Sequence, residues 1–138
     1  IDYSIYEIIG DEKGTQILLK KGEMPMPVEF NIVLQNGTVS KYYIPTVLMR
    51  GEKEVELNTK ILSDWAWTNP YYSIRLDQAP SKIKEIQLHT TGHIADIEPL
   101  NDRVKMPDNW DWNKYKLRLN LLEKKKKGTI KKFVKIKK

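Results

Sequence analysis

The sequence predicts an all-β protein, an antiparallel, immunoglobulin-like β-sandwich of about six to eight strands. Short runs in which apolar and polar residues alternate recur roughly every 10–15 residues, as in an all-β domain. Polar turn residues separate these runs, and seven prolines spread over the chain disfavour helices. A partly open barrel is the alternative architecture.

Composition narrows the class of protein. The chain has 138 residues and a mass of 16.2 kDa, enough for one domain with a buried core. Its 40% hydrophobic content excludes a disordered or collagen-like chain, and the absence of cysteine excludes disulfides and thiolate metal sites. No run approaches the roughly 18 apolar residues of a membrane span. Residue 1 is Ile and no leader pattern follows it, so we expect a piece of a longer protein.

The first four strands are expected as two hairpins. Residues 5–8 and 17–19 flank a turn at residues 11–14, whose sequence is Asp-Glu-Lys-Gly. Residues 28–34 alternate, and Asn36-Gly37 then predicts a type I′ turn before the strand at residues 38–45. Asn36-Gly37 is the strongest local signal in the chain.

Further β-rich stretches lie at residues 71–76 and 83–90, separated by a polar turn at residues 77–81. We assign residues 1–105 to the sandwich domain. The aromatic and apolar segment at residues 106–122 fits a strand or a helix equally well, with Asp108 or Asn109 as the N-cap in the helical case. Periodicity leaves both alternatives open there.

Residues 123–138 form a lysine-rich tail that we expect to be flexible. It holds nine lysines and one glutamate, which leaves 15 basic and 17 acidic residues in the preceding part of the chain. Lysines alone can contact phosphates without sequence specificity, whereas a solvated charge run is the more common role. We therefore expect no specific nucleic-acid partner and no membrane span.

Residues able to carry catalysis are sparse. His89 and His93 have the spacing of the H-E-x-x-H zinc motif, but Thr90 replaces its glutamate and Gly92 breaks the required helix. We predict no catalytic residue and no metal ligand in this chain.

Residues 65–72 form an aromatic cluster that contains Trp65, Trp67, Tyr71 and Tyr72. Three interpretations are open. The tryptophans pack in the core, or Trp65, Trp67 and Tyr71 contact a neighbouring domain, or the cluster binds carbohydrate or protein through exposed rings.

Five motifs occur in order: Gly-Glu-Met-Pro-Met-Pro at residues 22–27, Asn-Gly at 36–37, Tyr-Ile-Pro at 43–45, Arg-Gly-Glu-Lys at 50–53 and Trp-Ala-Trp-Thr at 65–68. In this order they resemble the β-sandwich domain that follows the catalytic domain of aminopeptidase-N-like zinc metallopeptidases, above all those of Bacteroides-type bacteria. The resemblance covers about residues 3–98.

The resemblance implies a parent that removes N-terminal residues from peptides with zinc held by an upstream H-E-x-x-H motif, in a periplasmic, envelope-associated or secreted setting. This chain would be a non-catalytic domain without its own cofactor, with the neighbouring domains of the same polypeptide as partners. The matching residues would then be structural: Met24, Pro25, Met26, Pro27, Asn36, Gly37, Arg50, Gly51, Trp65, Trp67 and Pro70.

Overall fold

A computed structural model describes residues 3–23, 26–45, 59–66, 68–90, 101–125 and 128–138. These residues form ten strands and one short 3₁₀ turn, Pro80–Lys82. The strands are β1 (Ser4–Gly10), β2 (Thr15–Lys20), β3 (Val28–Leu34), β4 (Val39–Ile44), β5 (Thr59–Ile61), β6 (Tyr71–Leu76), β7 (Ile83–Thr90), β8 (Asn101–Lys105), β9 (Tyr115–Lys125) and β10 (Gly128–Lys137).

The strands form two five-stranded sheets. The first sheet has the order β10-β9-β1-β2-β6 and the second has the order β5-β4-β3-β7-β8. All pairs are antiparallel except the short parallel pair of β4 and β5. The order β1-β2-β6 opposite β4-β3-β7-β8 matches the A-B-E and C′-C-F-G strands of immunoglobulin-like sandwiches. The predicted fold class is confirmed, with more strands than expected.

The core lies between the two sheets, where alternate residues of the strands point inward. Phe30 of the second sheet is fully buried and stacks on Tyr42 with ring centroids 4.6 Å apart. Burying one such large apolar side chain contributes roughly 1.5–3 kcal/mol. The other fully buried large side chains come from both sheets: Ile5, Ile8, Ile17, Leu19, Ile32, Ile44, Ile83, Ile86, Leu88 and Leu117.

The turn between β1 and β2 is the one that the sequence predicts. The carboxylate of Asp11 accepts hydrogen bonds from the backbone N–H groups of Lys13 at 2.8 Å and Gly14 at 3.0 Å. These bonds lower the pKa of Asp11. Gly10 precedes this turn, and a Cβ there would lie 1.9 Å from Cγ of Pro80, so the close approach of the two segments requires glycine.

The β3–β4 hairpin lies where Asn36-Gly37 predicts it, but the prediction of a type I′ turn was wrong. Gly37 has a φ of +89°, whereas Asn36 is not among the described residues with positive φ. Gly37 N–H donates to Leu34 C=O at 3.0 Å, and Leu34 N–H donates to Thr38 C=O at 2.9 Å. This is a three-residue loop with glycine in the left-handed position. The longer loop lets Gln35 N–H donate to Lys82 C=O at 2.9 Å.

The segment after β8 resolves the choice between strand and helix. It forms β9, in which Leu117 and Leu119 are buried, so the strand interpretation is confirmed and the helical one was wrong. Asn109 does not cap a helix; its φ is +57°, which places it in the left-handed region.

The lysine-rich segment was expected to be a flexible tail, but most of it forms a strand. Residues 128–137 form β10, which pairs with β9 from Gly128↔Lys125 to Lys137↔Tyr115. An edge strand is held by backbone hydrogen bonds to one neighbour, so it needs few apolar side chains and leaves lysines in water. The segments at 106–122 and 123–138 thus contribute strands to the first sheet of the sandwich.

Candidate functional site

Trp65, one of the predicted contact residues, is buried with 5% of its surface exposed. Its ring meets Tyr3 edge to face and Tyr72 at a tilt, with centroids 5.3 Å away in both cases. Its indole N–H donates to Asn69 C=O at 2.8 Å. Trp65 therefore packs in the core, and its ring has no open face for a sugar or a neighbouring domain.

Of the other residues of the aromatic cluster, Tyr72 contacts Trp65, whereas Tyr71 lies apart from it. Tyr71 is half-buried on the outer face of the first sheet, away from Trp65. Pro70 is exposed, and its carbonyl accepts a hydrogen bond from Lys21 N–H at 2.9 Å. Trp67 lies outside the described residues, so its contact with a neighbouring domain stays a prediction.

The proline- and methionine-rich motif lies beside Tyr3. Met26 packs against the core, and its N–H donates to the Tyr3 hydroxyl at 3.2 Å. Burial raises the pKa of this tyrosine. Pro27 directly precedes β3. The other predicted motif residues lie outside the described part of the chain: Met24, Pro25, Arg50 and Gly51.

His89 lies on β7, opposite Glu29 of β3 and Asn101 of β8. His93 lies outside the described residues. Among the residues that the structure describes, no group of three or more His, Asp or Glu is placed to hold a metal ion.

A β-bulge in β1 creates the feature that we identify as the candidate site. Ile5 pairs with Leu19 and Glu7 pairs with Leu18, so Tyr6 is an extra residue. Ile5 and Ile8 both face the core although they are three positions apart, and an extra residue between them makes this possible. The bulge turns the side chains of Tyr6 and Glu7 to the outer face of the first sheet.

Glu7 is a buried carboxylate, 5% exposed, that is neutralised by two cations of β9. Arg118 donates to its Oε1 from Nη2 at 2.9 Å and from Nε at 3.3 Å. Lys116 Nζ lies 3.3 Å from the same oxygen. The hydrogen bond to Glu7 raises the pKa of the Arg118 guanidinium. This ion-pair cluster joins β9 to β1.

Tyr6 lies at the centre of the surface beside Glu7. Its ring centroid is 5.3 Å from that of Tyr71, 5.4 Å from Cζ of Arg118 and 5.9 Å from Nζ of Lys20. These are cation–π distances. We call the set of Tyr6, Glu7, Lys20, Tyr71 and Arg118 the tyrosine face. It presents two half-buried aromatic rings with two cations and one carboxylate.

A polar cleft of about 250 Å³ lies between β6 and the β4–β5 edge. The Tyr72 hydroxyl donates to Ser63 C=O at 2.6 Å and lies 3.0 Å from Ser63 Oγ. Burial, and then the charge of Asp77, raise the pKa of Tyr42 on its wall. We assign a structural role to the hydroxyls of Tyr72 and Ser63, which hold the two sheet edges together. The cleft is lined by Tyr42, Lys60, Leu62, Ser63, Tyr72, Ser73, Ile74, Arg75, Leu76, Asp77 and Gln78.

Of the tyrosine face, only Tyr71 is predicted from the sequence as a contact residue; Tyr6, Glu7, Lys20 and Arg118 are not. A local signal for the bulge exists, since Ile5 and Ile8 break the two-residue period of a strand. No local signal places Arg118 beside Glu7, because 111 residues separate them in the chain.

Comparisons of the chain with protein-family models, curated proteins and solved structures found no match. Within the described residues, no helix has the length and apolar character to cross a membrane.

Proposed function

We propose that this chain is a non-catalytic β-sandwich domain that holds neighbouring domains of a longer polypeptide in register. By the resemblance of its motifs, that polypeptide is a zinc aminopeptidase-like protein that cleaves N-terminal residues from peptides. The tyrosine face is the surface that contacts a neighbouring domain in this proposal.

The observation that supports the proposal is the composition of the tyrosine face together with the contacts that hold its side chains. Tyrosine and arginine are enriched in the buried centres of protein interfaces, where large rigid side chains lose little entropy on contact. Arg118 is already held by two hydrogen bonds to Glu7, and Tyr6 is held between Tyr71 and Arg118. A partner therefore meets side chains that are ordered before it binds.

A comparison of variants in the parent polypeptide tests this role. Tyr6→Ala and Tyr71→Ala together should increase the rate at which a protease cleaves the parent at the domain boundary, because interdomain contacts are lost. Gln87→Ala, on the outer face of the second sheet, is the matched control and should leave the rate unchanged. Equal cleavage rates in the double variant and the parent would contradict the proposed contact.

In this proposal the zinc and the peptide chemistry belong to the upstream catalytic domain. The isolated chain should retain no stoichiometric zinc after dialysis and should not release a chromogenic amine from an aminoacyl substrate. One tightly held zinc per chain in a colorimetric assay would refute the non-catalytic assignment.

A further inference from the structure

Strand β10 is the outermost strand of the first sheet, and its only strand partner among the described residues is β9. Lys138 N–H donates to Lys114 C=O at 3.0 Å, which fixes the pattern of backbone bonds. In an antiparallel pair, alternate residues direct their N–H and C=O groups to the neighbour. The even-numbered residues of 132–138 therefore bond to β9, and the odd-numbered residues of 131–137 direct their backbone groups away from it.

This free edge is strongly basic. Residues 131–138 contain five lysines and no acidic residue. Lys135 and Lys137 are exposed, and the Lys135 ammonium lies 5.6 Å from the rings of both Trp110 and Tyr115. Phe133, two residues before Lys135, is 37% exposed and supplies an apolar contact on the same edge.

An unpaired strand edge is a template for another extended chain, which forms backbone hydrogen bonds along it. Lysines on an edge repel other basic strands, including a second copy of β10, so they disfavour basic occupants. The same lysines attract a strand with acidic side chains, since opposite charges that face each other on neighbouring strands stabilise the pairing. The edge thus selects for acidic partners.

We propose that the outer edge of β10 binds an extended acidic peptide segment as an added strand of the first sheet. The peptide backbone bonds to the odd-numbered residues of 131–137, and its carboxylates lie beside Lys135 and Lys137. The row of backbone donors and acceptors favours a peptide over a nucleic acid, which has no complementary strand edge. This inference is independent of the tyrosine face and of the parent's activity.

Hydrogen exchange tests the geometry directly. The probe is a synthetic peptide of about eight residues that alternates Glu and Val, long enough to span residues 131–137. Binding should slow exchange of the backbone amides at the odd-numbered residues of 131–137 and change little at the even-numbered ones, which are already bonded to β9. Protection at neither set, or equal added protection at both, would overturn the proposal.

A second peptide separates strand addition from simple charge attraction. The same peptide with N-methyl groups on alternate amides keeps every carboxylate but loses one row of backbone donors. Its affinity for the unmodified chain should fall about tenfold or more in one of the two methylation registers, because several hydrogen bonds are lost. Equal affinity of the unmethylated peptide and both methylated peptides would overturn the proposal.

Variants of the chain give an independent test. Phe133→Pro removes an outward N–H without removing a bond to β9, a substitution that edge strands tolerate. It should weaken peptide binding about tenfold, whereas the matched Phe133→Ala, which keeps the N–H, should weaken it less. Arg75→Pro, on the opposite edge at β6, should have no effect. Tighter binding of an oligouridylate than of the peptide at the same salt concentration would overturn the assignment to a peptide.

Discussion

Glu7 shows how the β-bulge at Tyr6 shapes a surface. Its carboxylate is buried on the outer face of a sheet, and Arg118 and Lys116 neutralise it. Both cations are partly exposed, so water screens part of their attraction. The Glu7 carboxylate is the most buried of the three charged groups, so its charge depends most on the other two for stabilisation.

The ion-pair cluster predicts an asymmetric result in a double-mutant cycle. Arg118→Ala leaves the buried carboxylate with Lys116 alone and should lower the free energy of unfolding by about 1–2 kcal/mol. Glu7→Gln should cost about 1 kcal/mol, because the two cations can turn to water. The double variant should cost less than the sum of the two, as measured by urea denaturation.

The control for this cycle is Lys20→Ala, which removes an exposed cation near Tyr6 and should change stability by less than about 0.5 kcal/mol. Strict additivity of Glu7→Gln and Arg118→Ala, within about 0.3 kcal/mol, would show that the contact between them does not contribute to stability.

At the level of the strands, the two N-terminal hairpins could be predicted because their signals are local. Alternation defines each strand, and polar turn residues define where it ends. The hairpin of β9 and β10 could not be predicted in the same way. The lysines of β10 have the composition of a solvated segment, and a strand at a sheet edge satisfies that composition equally well.

The sequence also gives no sign of where β9 pairs. It lies next to β1, with Glu7↔Arg118 and Ile8↔Leu117 as partners, although β8 belongs to the other sheet. The passage of the chain from β8 in one sheet to β9 in the other depends on tertiary contacts. Trp110 and Trp112 of the connecting segment pack against the core, with their ring centroids 5.8 Å apart. Of the candidate site, only Tyr71 could be named from local pattern.

Removing β10 tests whether it is a structural part of the sheet. A chain that ends at Lys125 would lack β10. The edge of β9 would be exposed, and Leu117 and Leu119 would lose part of their cover. The thermal midpoint of this chain should fall, and it should self-associate through the new edge in a concentration-dependent way. The control is the full chain with Lys135→Ala and Lys137→Ala, which lowers the charge but keeps the strand. An unchanged midpoint in the truncated chain would contradict a structural role for β10.

In the whole molecule, the first sheet carries both proposed contact surfaces. The tyrosine face lies on its outer surface across β1, β2, β6 and β9, and the basic edge of β10 lies at its side. The acidic residues outnumber the basic ones in residues 1–122, so the net positive charge of the chain comes from residues 123–138, which include β10. Such a distribution favours oriented contact with acidic partners.

Hydroxyl-radical footprinting of tyrosines tests the proposed domain contact most directly. The isolated chain and the parent polypeptide are labelled in parallel, and Tyr42 in the wall of the cleft serves as the internal reference. We expect labelling of Tyr6 and Tyr71 to fall severalfold in the parent while labelling of Tyr42 is unchanged. Equal labelling of Tyr6 and Tyr71 in the two samples would show that no neighbouring domain covers this face.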